Sequence, residues 1–110
     1  NLFNFLNRAD VRHMRGEIEM ALQDIDTALQ IDSEIWVSYK LRGDIFDETG
    51  DTEKAEENYR RCYELTKKNP RSIPESYLEK IDADAYKKLK QKSNEDTENK
   101  SENDTETNDN

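Results

Sequence analysis

Cysteine, histidine, glycine and proline are all scarce in this chain, and each shortage removes a class of function. Cys62 stands alone, so no intramolecular disulfide can close and no cysteine–histidine cluster has the spacing of a zinc site. A reducing compartment fits such cysteine usage. The one histidine, His13, is flanked by Arg12, Met14 and Arg15, none of them the partner that acid–base or nucleophilic catalysis requires. Gly16, Gly43 and Gly50 are single, so no glycine-rich loop cradles a phosphate. Asp24 and Asp26 resemble the start of a calcium loop, but the glycine and closing glutamate of such a loop are missing. A solvated helix face is expected there instead. The residues offer no catalytic set, no metal ligands and no cofactor site, and the chain is not expected to be an enzyme.

Long apolar runs are also missing. None approaches the roughly 20 residues that a membrane-spanning helix needs, and the opening Asn-Leu-Phe-Asn-Phe-Leu has neither a basic flank nor a cleavage site. A soluble, cytoplasmic protein is expected. Basic charge is short as well: the formal net charge is −9. It is uneven, because residues 93–110 contribute −6 through seven acids against Lys100, and residues 1–92 contribute −3. Nucleic-acid binding needs a basic face to displace counterions, so neither a nucleic acid nor an anionic membrane is the expected partner.

What is present is a repeat. Laid on itself at an offset of 34, the chain pairs Phe5 with Tyr39, Arg8 with Arg42, Ala9 with Gly43 and Asp10 with Asp44. The same register pairs Gly16 with Gly50, Ala21 with Ala55, Ile25 with Tyr59, Ala28 with Cys62 and Ile31 with Leu65. Within each copy the apolar positions recur at helical spacing on both sides of the glycine; Ile18, Ala21, Leu22, Ile25, Ala28 and Leu29 form one stripe. Gly16 and Gly50 suit the left-handed end of a helix, and Asp51 or Thr52 suits the start of the next. Asp32 and Ser33 are placed to do the same before Trp36. Helices are therefore predicted over about 2–15, 17–31, 34–48 and 52–68. After Asn69-Pro70 the register fails, but Tyr77, Ile81, Ala85 and Leu89 fall at four-residue intervals and predict one further helix over about 74–91. Residues 93–110 hold no apolar side chain and are expected to be disordered.

The period and the order of small and aromatic residues resemble the tetratricopeptide repeat. The second copy is the more similar, through Tyr39, Gly43 and Phe46 in its first helix and Ala55 with Tyr59 in its second; the first offers Phe5, Ala9, Ala21, Ile25 and Ala28. Arg8 and Arg42 stand where the family usually has leucine, Arg12 stands where it has an aromatic residue, and Lys67 takes the place of its closing proline. The resemblance implies an all-α fold: antiparallel helix hairpins of an α-solenoid, five helices in all. Residues 1–91 would form the domain, with repeats over about 2–35 and 36–69 and a capping helix over about 74–91, followed by an acidic tail over 92–110. A chain that starts directly on a helix-like stretch is expected to be a segment of a longer multi-repeat protein.

The resemblance also implies a function: binding another protein, with the first helix of each repeat lining a concave groove. Carried over to this chain, that groove comprises Phe3, Leu6, Asp10, His13 and Met14, and then Val37, Lys40, Asp44, Asp47 and Glu48. It would be apolar near Phe3, Leu6 and Val37 and acidic near Asp44, Asp47 and Glu48, complementing a peptide or helix with apolar anchors followed by basic residues. Family members that grip acidic peptides use a set of basic and amide side chains here, and Leu6, Asp10 and Asp44 do not supply it. Self-association through Leu2, Phe3, Phe5 and Leu6 is the alternative. Cys62 and Trp36 are expected to pack, and Lys87, Lys88, Lys90 and Lys92 to oppose the dipole of a helix end. Asn99-Lys100-Ser101 and Asn103-Asp104-Thr105 match the glycosylation pattern, and Ser93 and Ser101, each with an acid three residues later, are candidates for phosphorylation.

Overall fold

A computed structural model describes residues 1–92, and all the regular structure in them is helical. The helices are α1 (Leu2–Met14), α2 (Ile18–Ile31), α3 (Trp36–Glu48), α4 (Thr52–Leu65) and α5 (Glu75–Ile81), with a sixth, α6, over 83–92. The expected disorder, glycosylation and phosphorylation in 93–110 lie outside the described residues.

Each hairpin turns where a backbone can go left-handed. At Gly16 φ is +79°, and the Glu17 N–H donates to the Arg12 carbonyl at 2.8 Å; at Gly50 φ is +88°, and the Asp51 N–H donates to the Phe46 carbonyl at 2.9 Å. This 6→1 bond satisfies a carbonyl that the helix would otherwise leave open. The end of α4 makes the same bond, from the Lys68 N–H to the Tyr63 carbonyl at 2.9 Å, without a glycine: Lys67 and Lys68 sit at φ 57° and 62°. Left-handed backbone costs a residue with a Cβ about 1–2 kcal/mol, so this turn is strained. It also ends α4 at Leu65, three residues before the predicted end. The predicted start of the third helix at 34 moves to Trp36, because Asp32 spends its carboxylate on the Glu34 N–H at 2.9 Å within the turn. Asp51 caps α4 as expected, accepting from the Lys54 N–H at 3.2 Å.

α1 packs on α2 and α3 on α4; α2 then packs on α3, α1 reaches α3, and α5 lies on α4. Two cores result. The first joins Leu6, Ala9, Ala21, Ile25, Ala28 and Ile45. The second joins Ala55, Tyr59, Cys62, Tyr63, Ile73, Tyr77 and Leu78. Small residues set the approach of the helices: a Cβ on Gly43 would stand 2.8 Å from Tyr59 Cε1. Cys62 packs in the second core as expected, and burial pushes its thiol pKa up.

The segment predicted as one helix over 74–91 is two, which makes six helices where five were expected. Asp82 breaks it. Its backbone is extended, with φ −149° and ψ 86°, and its carboxylate accepts from the Ala85 N–H at 3.1 Å and from the Tyr63 hydroxyl at 2.7 Å. An aspartate that caps the following turn and anchors a buried tyrosine gains more than one more helical hydrogen bond would give. Ile81, Ala85 and Leu89 still pack against the second core on either side of the break.

The arginines that depart from the family pattern close each hairpin. Arg8 Nε and a terminal nitrogen donate to both oxygens of Asp24 at 2.9 and 2.7 Å, and Arg12 adds a third bond at 3.0 Å. In the second hairpin Arg42 Nε donates to Asn58 Oδ1 at 2.7 Å. Arg8 and Arg42, like Asp24 and Asn58, are 34 residues apart, so the polar latch repeats with the fold. Each arginine also covers the ring three residues before it in its own helix: Arg8 lies 5.6 Å from Phe5 and Arg42 5.7 Å from Tyr39. Asp24 is therefore not on a solvated face; it is 3% exposed, and the hydrogen bonds from Arg8 hold its carboxyl below the usual carboxylate range against the opposing effect of burial. Asp26 is exposed and accepts from Arg42 at 3.0 Å.

Candidate partner-binding face

α1, α3 and α5 are brought to one side of the stack by side chains that cross between them. His13 at the end of α1 pairs with Glu48 at the end of α3, and the hydroxyl of Tyr77 in α5 donates to Asp47 Oδ1 at 2.7 Å. Of the ten residues expected on the groove, Phe3 is 50% exposed and Met14 79%, while Asp10, Asp47 and Glu48 are exposed too. His13, Val37, Lys40 and Asp44 are half-buried.

Leu6 does not belong there. It is 2% exposed and packs with Ala9, Ala21 and Ile25 in the first core. Leu2, Leu6 and Ala9 fall at intervals of four and three along α1, which turns Leu6 inward with them. The apolar part of the face thus rests on Phe3 and Val37, with Met14 at the far end of α1.

The acidic part is built and held. Asp44 accepts the hydroxyl of Tyr59 and lies 3.4 Å from Lys40 Nζ; Asp47 accepts Tyr77, and Glu48 meets His13. Burial first, and then the bond to Asp47, pushes the Tyr77 pKa up to about 12; burial and Asp44 raise Tyr59 in the same direction. Hydroxyls so poised stay protonated and keep donating, which fixes the direction of the two carboxylates. The rings of Tyr59 and Tyr77 meet at a tilt of 51° with centroids 4.7 Å apart, so the two side chains that hold the acids of α3 also brace each other. The two tyrosines were read as packing residues; only their partners across the stack, 15 and 30 residues away, show that they also orient the acids.

Trp36 is 41% exposed and lines a hollow beside Lys40, Lys67 and Arg71, so it is not absorbed into packing. Among the described residues no three metal-ligating side chains converge and no helix is long and apolar enough to cross a membrane.

Residues 38–69 match the family model of the tetratricopeptide repeat. The match covers the α3–α4 hairpin, the second of the two self-similar segments. Neither the curated proteins nor the solved structures compared with the chain give a match. Tetratricopeptide repeats are in general protein–protein interaction modules that perform no catalysis themselves, and an all-helical stack of hairpins is the architecture such a repeat builds.

Proposed function

We propose that residues 1–91 form an interaction module that holds a segment of another protein on the face shared by α1 and α3. The observation behind this is the pairing of exposed apolar side chains, Phe3 and Met14, with acids whose direction is fixed from the neighbouring helices. A peptide or helix with apolar anchors followed by lysine or arginine complements that sequence of surfaces. Asp10, Asp44, Asp47 and Glu48 offer it carboxylate oxygens; Lys40 alone opposes them. Leu6 takes part only indirectly, by holding α1 in place.

Selection of random peptides on the whole chain tests this proposal. Enriched peptides should carry apolar residues with a basic cluster, and a Phe3→Ser, Glu48→Lys variant should lose them while its circular dichroism is unchanged, since both positions are exposed. Peptides without basic residues, or equal capture by the variant, would place the binding surface elsewhere.

A second reading is favoured by Val11, which is exposed beside Phe3 and Met14 on α1. Three large apolar side chains on one helix could also seat a second copy of the chain, as an assembly subunit would require.

A further inference from the structure

Charge in this chain is divided into three blocks. Residues 1–65 carry eight basic and fifteen acidic side chains, residues 66–92 eight basic and four acidic, and residues 93–110 one basic and seven acidic. The middle block is therefore a net +4 in a chain of net −9, and the fold gathers much of it around two hollows. One, of about 440 Å³, is lined by Trp36, Lys40, Lys67, Asn69, Arg71 and Ser72 among others; the second, of about 240 Å³, is lined by Pro70, Arg71, Ala85, Lys88, Leu89 and Lys92. No acid lines either hollow, and Arg71 lines both, so the two are one continuous basic surface.

Among the described residues one acid lies near this surface, Asp82, whose carboxyl feels the charges of Lys68 and Lys88. Lys67, Arg71, Lys88 and Lys92 form no ion pair there, and Lys40 reaches only Asp44. The strained left-handed turn at Lys67 and Lys68 holds one of these cations at the rim despite the cost of that backbone.

We infer that this surface docks the chain's own acidic segment, residues 93–110. Three observations select that occupant. The segment follows Lys92 directly, and Lys92 already lines the second hollow. Four of its acids, Glu95, Asp96, Glu98 and Glu102, fall within ten residues of that point, a span of at most about 36 Å when extended. The end of α3 repels it, because Asp47 and Glu48 are exposed there. A tether this short gives an effective concentration of order millimolar, so even weak attraction keeps the segment seated, and the attraction falls with salt.

Trp36 is the only tryptophan and stands in the hollow, so its fluorescence reports occupancy directly. The experiment uses the full chain and a variant in which the seven acids of 93–110 become Gln or Asn. Between about 20 and 500 mM NaCl the emission of the natural chain should shift, and that of the variant should hold the high-salt value throughout. A synthetic peptide of residues 93–110 should bind the variant at least about tenfold more tightly than the natural chain, whose own segment competes. Adding Arg71→Glu and Lys88→Glu, both at exposed positions, should abolish that binding with helicity retained. Superimposable salt titrations with equal peptide binding would overturn the inference. So would a flat titration in the natural chain together with binding of poly-glutamate, which would make the surface a site for a foreign acidic peptide.

Discussion

Gly43→Ala is the sharpest test of how the second hairpin is packed. The added Cβ would lie 2.8 and 2.9 Å from Cε1 and Cδ1 of Tyr59, inside any real carbon–carbon contact. The ring cannot yield cheaply: Tyr59 is fully buried, its hydroxyl is held by Asp44, and it packs against the tilted ring of Tyr77. Overpacking of this kind costs about 1–3 kcal/mol, and replacing glycine by alanine inside a helix returns about 1 kcal/mol. The net expected loss is about 0–2 kcal/mol, read by urea denaturation followed by circular dichroism. Tyr59→Leu removes the obstructing ring, so in that background Gly43→Ala should be neutral or stabilising, giving a coupling above about 1 kcal/mol. Gly16→Ala and Gly50→Ala serve as controls. Their Cβ atoms would meet nothing within 4 Å, but their φ is positive, so each should lose about 1 kcal/mol whatever stands at 59. A Gly43→Ala chain more stable than the parent, or one equally destabilised in both backgrounds, would mean that the Tyr59 ring does not set this packing.

Lys67→Gly should gain about 0.5–1 kcal/mol in the same assay, since it relieves left-handed backbone at the cost of some unfolded-state entropy. Ser38→Ala should lose nothing and gain up to about 1 kcal/mol, because the Ser38 hydroxyl is buried without a partner; a loss would mean that the oxygen is satisfied. Tyr63 and Tyr77 have pKa values raised from an ordinary 10.0 to about 12. Their stabilising effect is therefore complete below pH 10 and lost as pH rises towards 12. The melting temperature should fall across that window, and less steeply in a Tyr63→Phe, Tyr77→Phe variant. Asp24 has the opposite sign: Arg8 depresses its pKa, so its contribution is present above the ordinary carboxylate range and lost as pH falls below it. Asp24→Asn should lower the melting temperature at pH 7 and flatten the acid limb.

Much of the fold was legible because a 34-residue register repeats both the hinges and the small residues that let helices meet. Gly16 and Gly50 marked the turns, and Gly43 and Ala55 marked the close approach. The misses share a physical cause, which is that their partners lie across the stack. Asp24 reads as a surface acid until Arg8 and Arg12 are brought onto it from α1. Asp82 sits inside an apolar row of helical spacing, and only the Tyr63 hydroxyl shows why the helix stops there. Leu6 is a core residue whose place in the groove came only from the family position; its spacing with Leu2 and Ala9 already pointed inward. The acidic residues of the candidate face were legible singly, whereas the tyrosines that aim them were not.

Static light scattering across a wide concentration range, with circular dichroism on the same samples, tests the central claim that the α1–α3 face is open to a foreign partner. A helical monomer of 13.0 kDa is expected at every concentration. A helical dimer that dissociates on Phe3→Ser would contradict it, because the face would then already be occupied by another copy of the chain.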